Sequence, residues 1–160
     1  MAFLKKILSF FMDSLETITF VGSIYIVIYI FLFTPTEVLG ASMEPTFHTK
    51  ERVIMSKVTY KLRDPERGDV VVIKSPKNKD VAYVKRIVAL PQDEIRIIDG
   101  IVYVNEESLP SDFTFYEVNN TEAGIFEDGK LYTVPKNHVL VMGDNRARSF
   151  DSRAFGPVPY

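Results

Sequence analysis

A run of 20 uncharged residues, Thr17 to Thr36, constrains the fold of this chain more than any other feature. Its centre is rich in β-branched and aromatic residues, and the run is far longer than a typical strand. As a helix, 20 residues span about 30 Å, the thickness of the hydrocarbon core of a bilayer. Because only helices and closed barrels satisfy their backbone hydrogen bonds in lipid, the run predicts a transmembrane helix over residues 17–36.

The basic residues around this run predict its orientation. Lys5 and Lys6 precede it, and no Lys or Arg follows until Lys50. The positive-inside rule therefore places residues 1–16 in the cytoplasm and residues 37–160 outside. A cleavable signal peptide is the alternative, but it would have a shorter apolar core and a small-x-small exit, which residues 38–40 match poorly. We therefore favour a retained anchor.

Beyond Pro45 the hydrophobic pattern alternates with the period of a strand. The Asp99-Gly100 pair suits a type I′ turn and predicts a hairpin between the two apolar runs that flank it. No 12-residue stretch after the anchor shows helical periodicity, and the polar, acidic residues 106–129 predict a short insertion or long loop. The expected fold class is mainly β, with a largely antiparallel β-sheet domain over residues 37–160 and one N-terminal transmembrane helix. Strands are predicted at 52–57, 69–74, 81–88, 94–98, 101–104, 130–134 and 138–142.

The composition excludes several kinds of site. The chain has no Cys, so it has no disulfides and no thiolate metal site, and its two His residues lack ligand-type spacing. We therefore expect no metal and no cofactor. Residues 50–86 hold 11 basic against 5 acidic residues. A solvated face explains this excess better than contact with anionic lipid headgroups, and nucleic-acid binding is not expected because no dense basic stripe with interleaved aromatic residues occurs.

Two residues have the chemistry of a hydrolase that uses a serine and a lysine. Lys85 lies in the strand predicted at 81–88, where alternation gives it the same face as Tyr83 and Ile87. If that face is inward, burial lowers the pKa of the amine toward a value useful for a general base, and if it is outward Lys85 merely snorkels. Ser42 lies just after the anchor, and its hydroxyl would need such a base to become a nucleophile. Taken alone, Ser42 is one of many loop serines.

A third polar block lies near the C-terminus, at residues 143–153, Gly-Asp-Asn-Arg-Ala-Arg-Ser-Phe-Asp-Ser-Arg. It could be an ordinary polar turn, or it could supply a hydroxyl that orients a neutral lysine and ion pairs that hold the loop. No His-Asp pair of plausible spacing accompanies Ser42, so a Ser-His-Asp triad is disfavoured.

The order of these motifs resembles the bacterial type I signal peptidases, membrane-anchored Ser–Lys endopeptidases that remove signal peptides from exported proteins. Ser-Met-x-Pro-Thr follows a membrane helix, Tyr-x-Lys-Arg precedes Leu-Pro-x-Asp, and Gly-Asp-Asn-Arg precedes Ser-x-Asp-Ser-Arg. Together these motifs are highly specific, and the likeness runs from the anchor to the C-terminus. It covers four ordered blocks, at residues 40–46, 67–76, 83–93 and 143–159.

The resemblance implies a role for each matching residue. Ser42 would be the nucleophile and Lys85 the general base, while Ser149 matches a serine that hydrogen-bonds the lysine amine. The residues that match ion-paired supports around the site are Arg86, Asp144, Asp151 and Arg153. The residues that match shallow pockets for small side chains at the −1 and −3 substrate positions are Val38, Met43, Phe47, Tyr83 and Val84.

The resemblance also implies the partners and the place of action. The substrates would be signal peptides of exported preproteins, cut at the surface of the cell (inner) membrane, with membrane lipid and the protein-export translocon as further partners. Gly40 departs from the pattern, since some members carry there a serine that completes the oxyanion hole. A conjugation-type maturation peptidase, a Ser–Lys autoprotease of the SOS-repressor type and an inactive membrane-anchored binding protein are the alternatives.

Overall fold

The computed structural model describes residues 2–76, 78, 80–109 and 125–160. It begins with helix α1, Ala2–Leu32, of which residues 3–32 are long and apolar enough to cross a membrane. The helix is therefore longer at its start than residues 17–36. It also ends earlier, so the prediction of helix over residues 33–36 is wrong. Pro35 explains the early end, because proline in a helix interior removes a hydrogen bond and disfavours the helical conformation at the preceding residue.

The described residues that follow α1 form short strands, two one-turn α-helices and one 3-10 turn at Arg146–Arg148. The Asp99-Gly100 turn has positive φ at both positions, 49° and 81°, as a type I′ turn requires. Of the segment predicted as an insertion, residues 110–124 lie outside the described residues. In chain order the elements are β1 Phe33–Glu37, β2 Arg52–Ser56, α2 Thr59–Leu62, β3 Val70–Lys74, β4 Ala82–Ala89, β5 Glu94–Ile98, β6 Ile101–Val104, β7 Glu107–Ser108, β8 Tyr132–Thr133, β9 His138–Met142, α3 Ser152–Phe155 and β10 Val158–Pro159.

All strand pairs among the described residues are antiparallel, and they form three sheets. The first contains β1 and β2, the second has the order β10-β9-β4-β3, and the third has the order β7-β6-β5-β8. Every predicted strand is present: those at 94–98, 101–104 and 138–142 have the predicted ends, those at 52–57, 69–74 and 81–88 differ by one residue at one or both ends, and the one at 130–134 is limited to Tyr132–Thr133. The prediction of a mainly antiparallel β fold with one N-terminal apolar helix is confirmed.

Strand β4 carries the core of the molecule on both of its faces. Ile87 packs in one apolar cluster with Val71, Val139 and Val141, whereas its neighbour Val88 packs in a second, larger cluster. The register between β4 and β9 shifts between Ile87 and Ala89, and such a bulge bends a strand and increases its twist. The second half of β4 is therefore covered on both faces, which fixes the position of the strand that carries Lys85.

Candidate active site

The structure brings Ser42 and Lys85 together across 43 positions of sequence. Lys85 Nζ lies 2.8 Å from Ser42 Oγ, within hydrogen-bonding distance. Lys85 is the fourth residue of β4 and is only 2% exposed, so its side chain points into the protein on the same face as Ile87. The alternative in which Lys85 snorkels to solvent is wrong. Ser42 lies in the loop between β1 and β2, 10 residues after the end of α1.

Burial of the Lys85 side chain lowers its pKa from 10.5 to about 8. The physical cause is desolvation, which penalises the ammonium form. The positive charge of Arg153 acts in the same direction, while the carboxylates of Asp151 and Asp144 oppose it. A neutral amine is therefore accessible near neutral pH, and that is the protonation state in which lysine can accept a proton from a hydroxyl.

The buried lysine should cost stability, and Lys85→Met tests this. The unfolded state binds a proton on Lys85 up to pH about 10.5, whereas the folded state releases it at about 8. Linkage then makes the wild type gain stability as pH rises between those two values. We expect Lys85→Met to melt at a higher temperature than the wild type at pH 7, and we expect the difference between the two melting temperatures to decrease toward pH 10. A difference in melting temperature that increases with pH would contradict this account.

A buried carboxylate joins the Ser42 loop to the strand that carries Lys85. Asp144, which follows β9, accepts two hydrogen bonds from the Arg86 guanidinium at 2.8 and 2.7 Å. The same carboxylate accepts a hydrogen bond from the hydroxyl of Thr46, in the Ser42 loop. The backbone N–H of Asn145 donates to the Ser42 carbonyl at 3.0 Å. These contacts fix the Ser42 backbone relative to β4.

A second ion pair holds the turn that contains Ser149. Asp151 has no exposed side-chain surface, binds the Arg153 guanidinium at 2.9 Å, and accepts from the Gly143 N–H at 3.1 Å. Arg153 in turn donates to the carbonyl oxygen of Arg146 at 2.7 Å. The supporting residues suggested by resemblance thus form two ion pairs on either side of Gly143.

The hydrogen bonding of the Ser149 hydroxyl differs from what the resemblance implies. This hydroxyl is buried close to Gly143 and has no hydrogen-bond partner among the described residues, whereas the Lys85 amine donates to Ser42. The hydrogen bond from Ser149 to the lysine, implied by resemblance, is therefore not formed in this structure.

Gly143 occupies the space between Ser42 and Ser149. A Cβ built on Gly143 would overlap the Ser42 carbonyl oxygen and the Ser149 side chain, so any side chain here requires the backbone to move. From the sequence, Gly143 is predicted only to lie in a polar turn, and its position directly before Asp144 is the only local sign of a role.

A groove of about 340 Å³ opens beside the Ser42 hydroxyl. Three of the five predicted pocket residues, Val38, Tyr83 and Val84, line it. Met43 and Phe47 are not in its lining, and Met43 is only 1% exposed because its side chain is part of the protein interior. The alternation rule identified the contribution of β4, but it could not show which residues of an irregular loop face the groove. The lining residues that the sequence analysis missed are Thr36, Glu37, Leu39, Val72, Asp80, Val81 and Ala82.

Among the described residues, the strand edges along the groove have backbone groups that pair with no other strand. In this part of the chain, β1 pairs with β2 and with no other strand, so its other edge has no strand partner there. The first half of β4 pairs with β3 on one side, but pairing with β9 on the other side starts only at Arg86. An extended peptide in this groove would therefore meet unpaired strand edges on both of its walls. Within the described residues, no group of three or more potential metal ligands occurs.

The comparison with protein families gives one match over nearly the whole chain. The family described as "Signal peptidase, peptidase S26" matches residues 11–160. Among curated proteins, the chain is 41% identical over 125 residues to the probable signal peptidase I-2 of Synechocystis sp. and 35% identical over 160 residues to signal peptidase IB of Staphylococcus aureus strain COL.

The coverage of these relatives differs. The match spans 75% of this chain but 54% of the Synechocystis protein, so the chain aligns with about half of that relative. It spans 91% of this chain and 83% of the staphylococcal protein. Among solved structures, a signal peptidase I from Enterococcus faecalis is 31% identical, with a TM-score of 0.48 over 61% of this chain and 91% of that one.

Proposed function

Because the chain belongs to the signal peptidase family, peptidase S26, we propose that it is a membrane-anchored serine endopeptidase that removes signal peptides from exported preproteins. In this proposal Ser42 is the nucleophile and Lys85 the general base. The observation that carries the assignment is the 2.8 Å separation between Lys85 Nζ and Ser42 Oγ, with the amine buried. A serine hydroxyl needs a base within this distance to become reactive.

The proposed reaction has two steps, formation and hydrolysis of an ester on Ser42, and Lys85 is the base in both. Neutral Lys85 takes the Ser42 hydroxyl proton as Oγ bonds to the scissile carbonyl carbon. The carbon–nitrogen bond then breaks, the lysine gives its proton to the departing amine of the mature protein, and the signal peptide stays as an ester on Ser42. Water attacks this ester as Lys85 takes its proton, the bond between the carbonyl carbon and Ser42 Oγ breaks, Lys85 returns the proton to Oγ, and the signal peptide leaves with a free carboxylate.

The negative charge on the tetrahedral intermediate needs a donor, and the Ser42 N–H is our candidate. No acceptor in the described part of the chain takes this N–H, whereas the Ser42 carbonyl is already bound by Asn145. A free amide beside the attacked carbonyl can stabilise a developing oxyanion. Gly40 has a φ of 94°, a conformation that L side chains adopt rarely. A serine at position 40 would therefore be strained in this conformation. Glycine suits it better than the serine that some family members carry there.

The groove supports a substrate bound as an extended strand. Its open edges on β1 and β4 would pair with the peptide backbone, as in β-strand addition. Val38, Tyr83 and Val84 would bound the pockets, and Ala82 and Leu39 contribute further apolar surface. Apolar walls so close to Ser42 leave room for small side chains and exclude large ones by overlap. We therefore propose specificity for small residues at the −1 and −3 positions.

The anchor would restrict the enzyme to substrates at the membrane surface. Residues 36–39 line the groove, and α1 ends at Leu32, so the groove begins within a few residues of the anchor. With Lys5 and Lys6 in the cytoplasm, the groove would face the outside. A signal peptide that spans the same membrane would then present its cleavage site at the height of Ser42. On the same grounds we propose the protein-export translocon as a further partner.

The rate of cleavage should depend on pH through the Lys85 amine. Its pKa of about 8 means that the fraction of neutral amine rises as pH increases through that value. We expect kcat/KM to rise about tenfold per pH unit below pH 7, because a single ionisation controls the base, and to level off above pH 9. Initial rates with a fixed peptide substrate in detergent would give this profile. A rate that falls between pH 6 and 8 would contradict the role of Lys85.

A preprotein with alanine at −1 and −3 tests the proposed function and its specificity. We expect the detergent-solubilised protein to cut it directly after the −1 alanine, as read from the mass of the mature product. The same preprotein with phenylalanine at −1 serves as the matched control and should remain intact. Equal cutting of both substrates, or no cutting of the alanine form, would overturn the proposal.

A further inference from the structure

Three aromatic rings form a continuous row that ends beside the Lys85 amine. The Tyr83 ring lies next to this amine, with its centroid 5.4 Å from Nζ. Phe150 packs edge to face against Tyr83, at a centroid separation of 6.4 Å and an interplanar angle of 77°. Phe155, the last residue of α3, packs against Phe150 with the ring centroids 5.4 Å apart. The row therefore links α3 to Lys85.

The fold fixes both ends of this aromatic row. Tyr83 comes two residues before Lys85 in β4, so strand alternation places the two side chains on one face of the sheet. Phe155 packs on one of the two apolar clusters of the core. Phe150 is the middle ring, and the next residue, Asp151, holds its backbone through the buried ion pair described above. Phe150 is therefore placed to hold the Tyr83 ring in position.

A ring beside a buried amine acts on its protonation in two opposing ways. Its bulk excludes water, which disfavours the ammonium form and lowers the pKa, while its π face attracts a cation and raises the pKa. The attraction changes a pKa by about one unit, whereas burial changes that of a lysine by up to about 3–5 units. The pKa of Lys85 is lowered to about 8, with desolvation as the main cause. Exclusion of water is therefore the dominant effect at this amine.

We propose that Phe150 is a positioning residue, which holds the Tyr83 ring against the Lys85 amine and keeps water from reaching this amine. The exposures of the side chains agree with such a layered cover. Lys85 is 2% exposed, and Phe150, at 36%, forms the side of the cover that faces solvent. Phe150 is also the one large apolar residue in the polar block at residues 143–153, in which the roles implied by resemblance concern polar residues.

The ionisable groups around the Lys85 amine come from several elements, and a substitution of Phe150 removes none of them. Asp151 and Arg153 lie at the start of α3, and Asp144 follows β9. The phenol of Tyr83 lies on β4 itself. A change in the pKa of Lys85 on substitution of Phe150 would therefore report the loss of the aromatic cover.

Phe150→Ala tests the proposal through the protonation of Lys85 itself. The full-length protein in detergent, isotope-labelled at lysine Cε, gives an NMR signal for Lys85 that is identified by its loss in Lys85→Met. We expect Phe150→Ala to raise the pKa read from this signal by about one unit, because water reaches the amine. Phe150→Tyr keeps the ring and should titrate like the wild type. An unchanged or lower pKa in Phe150→Ala would overturn the proposal.

Phe126→Leu is the control for a purely structural effect. Phe126 is buried in the other apolar cluster and packs edge to face on Tyr132, with the ring centroids 5.2 Å apart. Its substitution should lower the melting temperature and leave the pKa of Lys85 at the wild-type value. An equal rise of this pKa in Phe126→Leu and Phe150→Ala would contradict a positioning role for Phe150.

Cleavage rates give a second measurement, which rests on the proposed function. We expect Phe150→Ala to lower kcat/KM for a peptide substrate about tenfold below pH 7 and to match the wild type above about pH 10, because a higher pKa reduces the fraction of neutral amine. A loss of the same size at every pH would contradict the proposal. If the proposed function is wrong, the wild type cleaves no substrate at any pH, whereas the titration of Lys85 still gives its result.

Discussion

Lys85→Ala is expected to lower kcat by about 1,000-fold or more, because it removes the base that activates the serine. In the structure the Lys85 amine is the group that contacts the Ser42 hydroxyl, at 2.8 Å. Lys85→Arg should be equally inactive, since a guanidinium stays protonated at every relevant pH. Steady-state cleavage of a peptide substrate in detergent gives the measurement.

Lys74→Ala is the matched control for this prediction. Lys74 is the last residue of β3, is exposed, and pairs with Ala82 on the same sheet. Its loss should leave the rate within about twofold of the wild type, as for other surface substitutions of small energetic effect. Retained turnover in a folded Lys85→Ala protein would remove Lys85 from the mechanism.

Gly143→Ala should have the second largest effect. The added methyl group would overlap the Ser42 carbonyl oxygen and the Ser149 side chain, so the Ser42 backbone must shift. A displacement of about 1 Å at a reacting group costs roughly 100-fold in rate. We expect this loss in kcat, with a KM close to that of the wild type because the groove does not include Gly143.

Gly22→Ala is the control for the glycine substitution. A Cβ on Gly22 would meet no atom within 4 Å, so this change adds a methyl group without displacing anything. Circular dichroism of both variants would separate misfolding from misplacement. A Gly143→Ala protein that folds and cleaves at the wild-type rate would show that the close approach to Ser42 has no catalytic importance.

Local patterns in the sequence predicted the elements on which the site depends. The alternation of residues 81–88 placed Lys85 and Ile87 on one face, and both are buried on that face of β4. The Asp99-Gly100 pair correctly located the hairpin between β5 and β6. These predictions succeeded because strand period and turn conformation depend on neighbouring residues.

Contacts between distant residues could not be predicted in the same way. Alternation left the snorkelled and buried positions of Lys85 equally open, and the choice depends on the Ser42 loop and β9, which come from other parts of the chain. Helix α1 was expected to reach Thr36, but Pro35 and the pairing of β1 with β2 end it at Leu32. The positions of Met43, Phe47 and the Ser149 hydroxyl depend on irregular loops, for which no periodicity exists.

The most direct test of the central claim compares the wild type with Ser42→Ala on one preprotein. Both proteins are solubilised in detergent, matched for helix and sheet content by circular dichroism, and incubated with the substrate for the same time. We predict that the wild type releases a mature product whose mass begins after the −1 residue, and that Ser42→Ala releases none. Equal release of that product by both proteins would contradict the claim that Ser42 is the nucleophile.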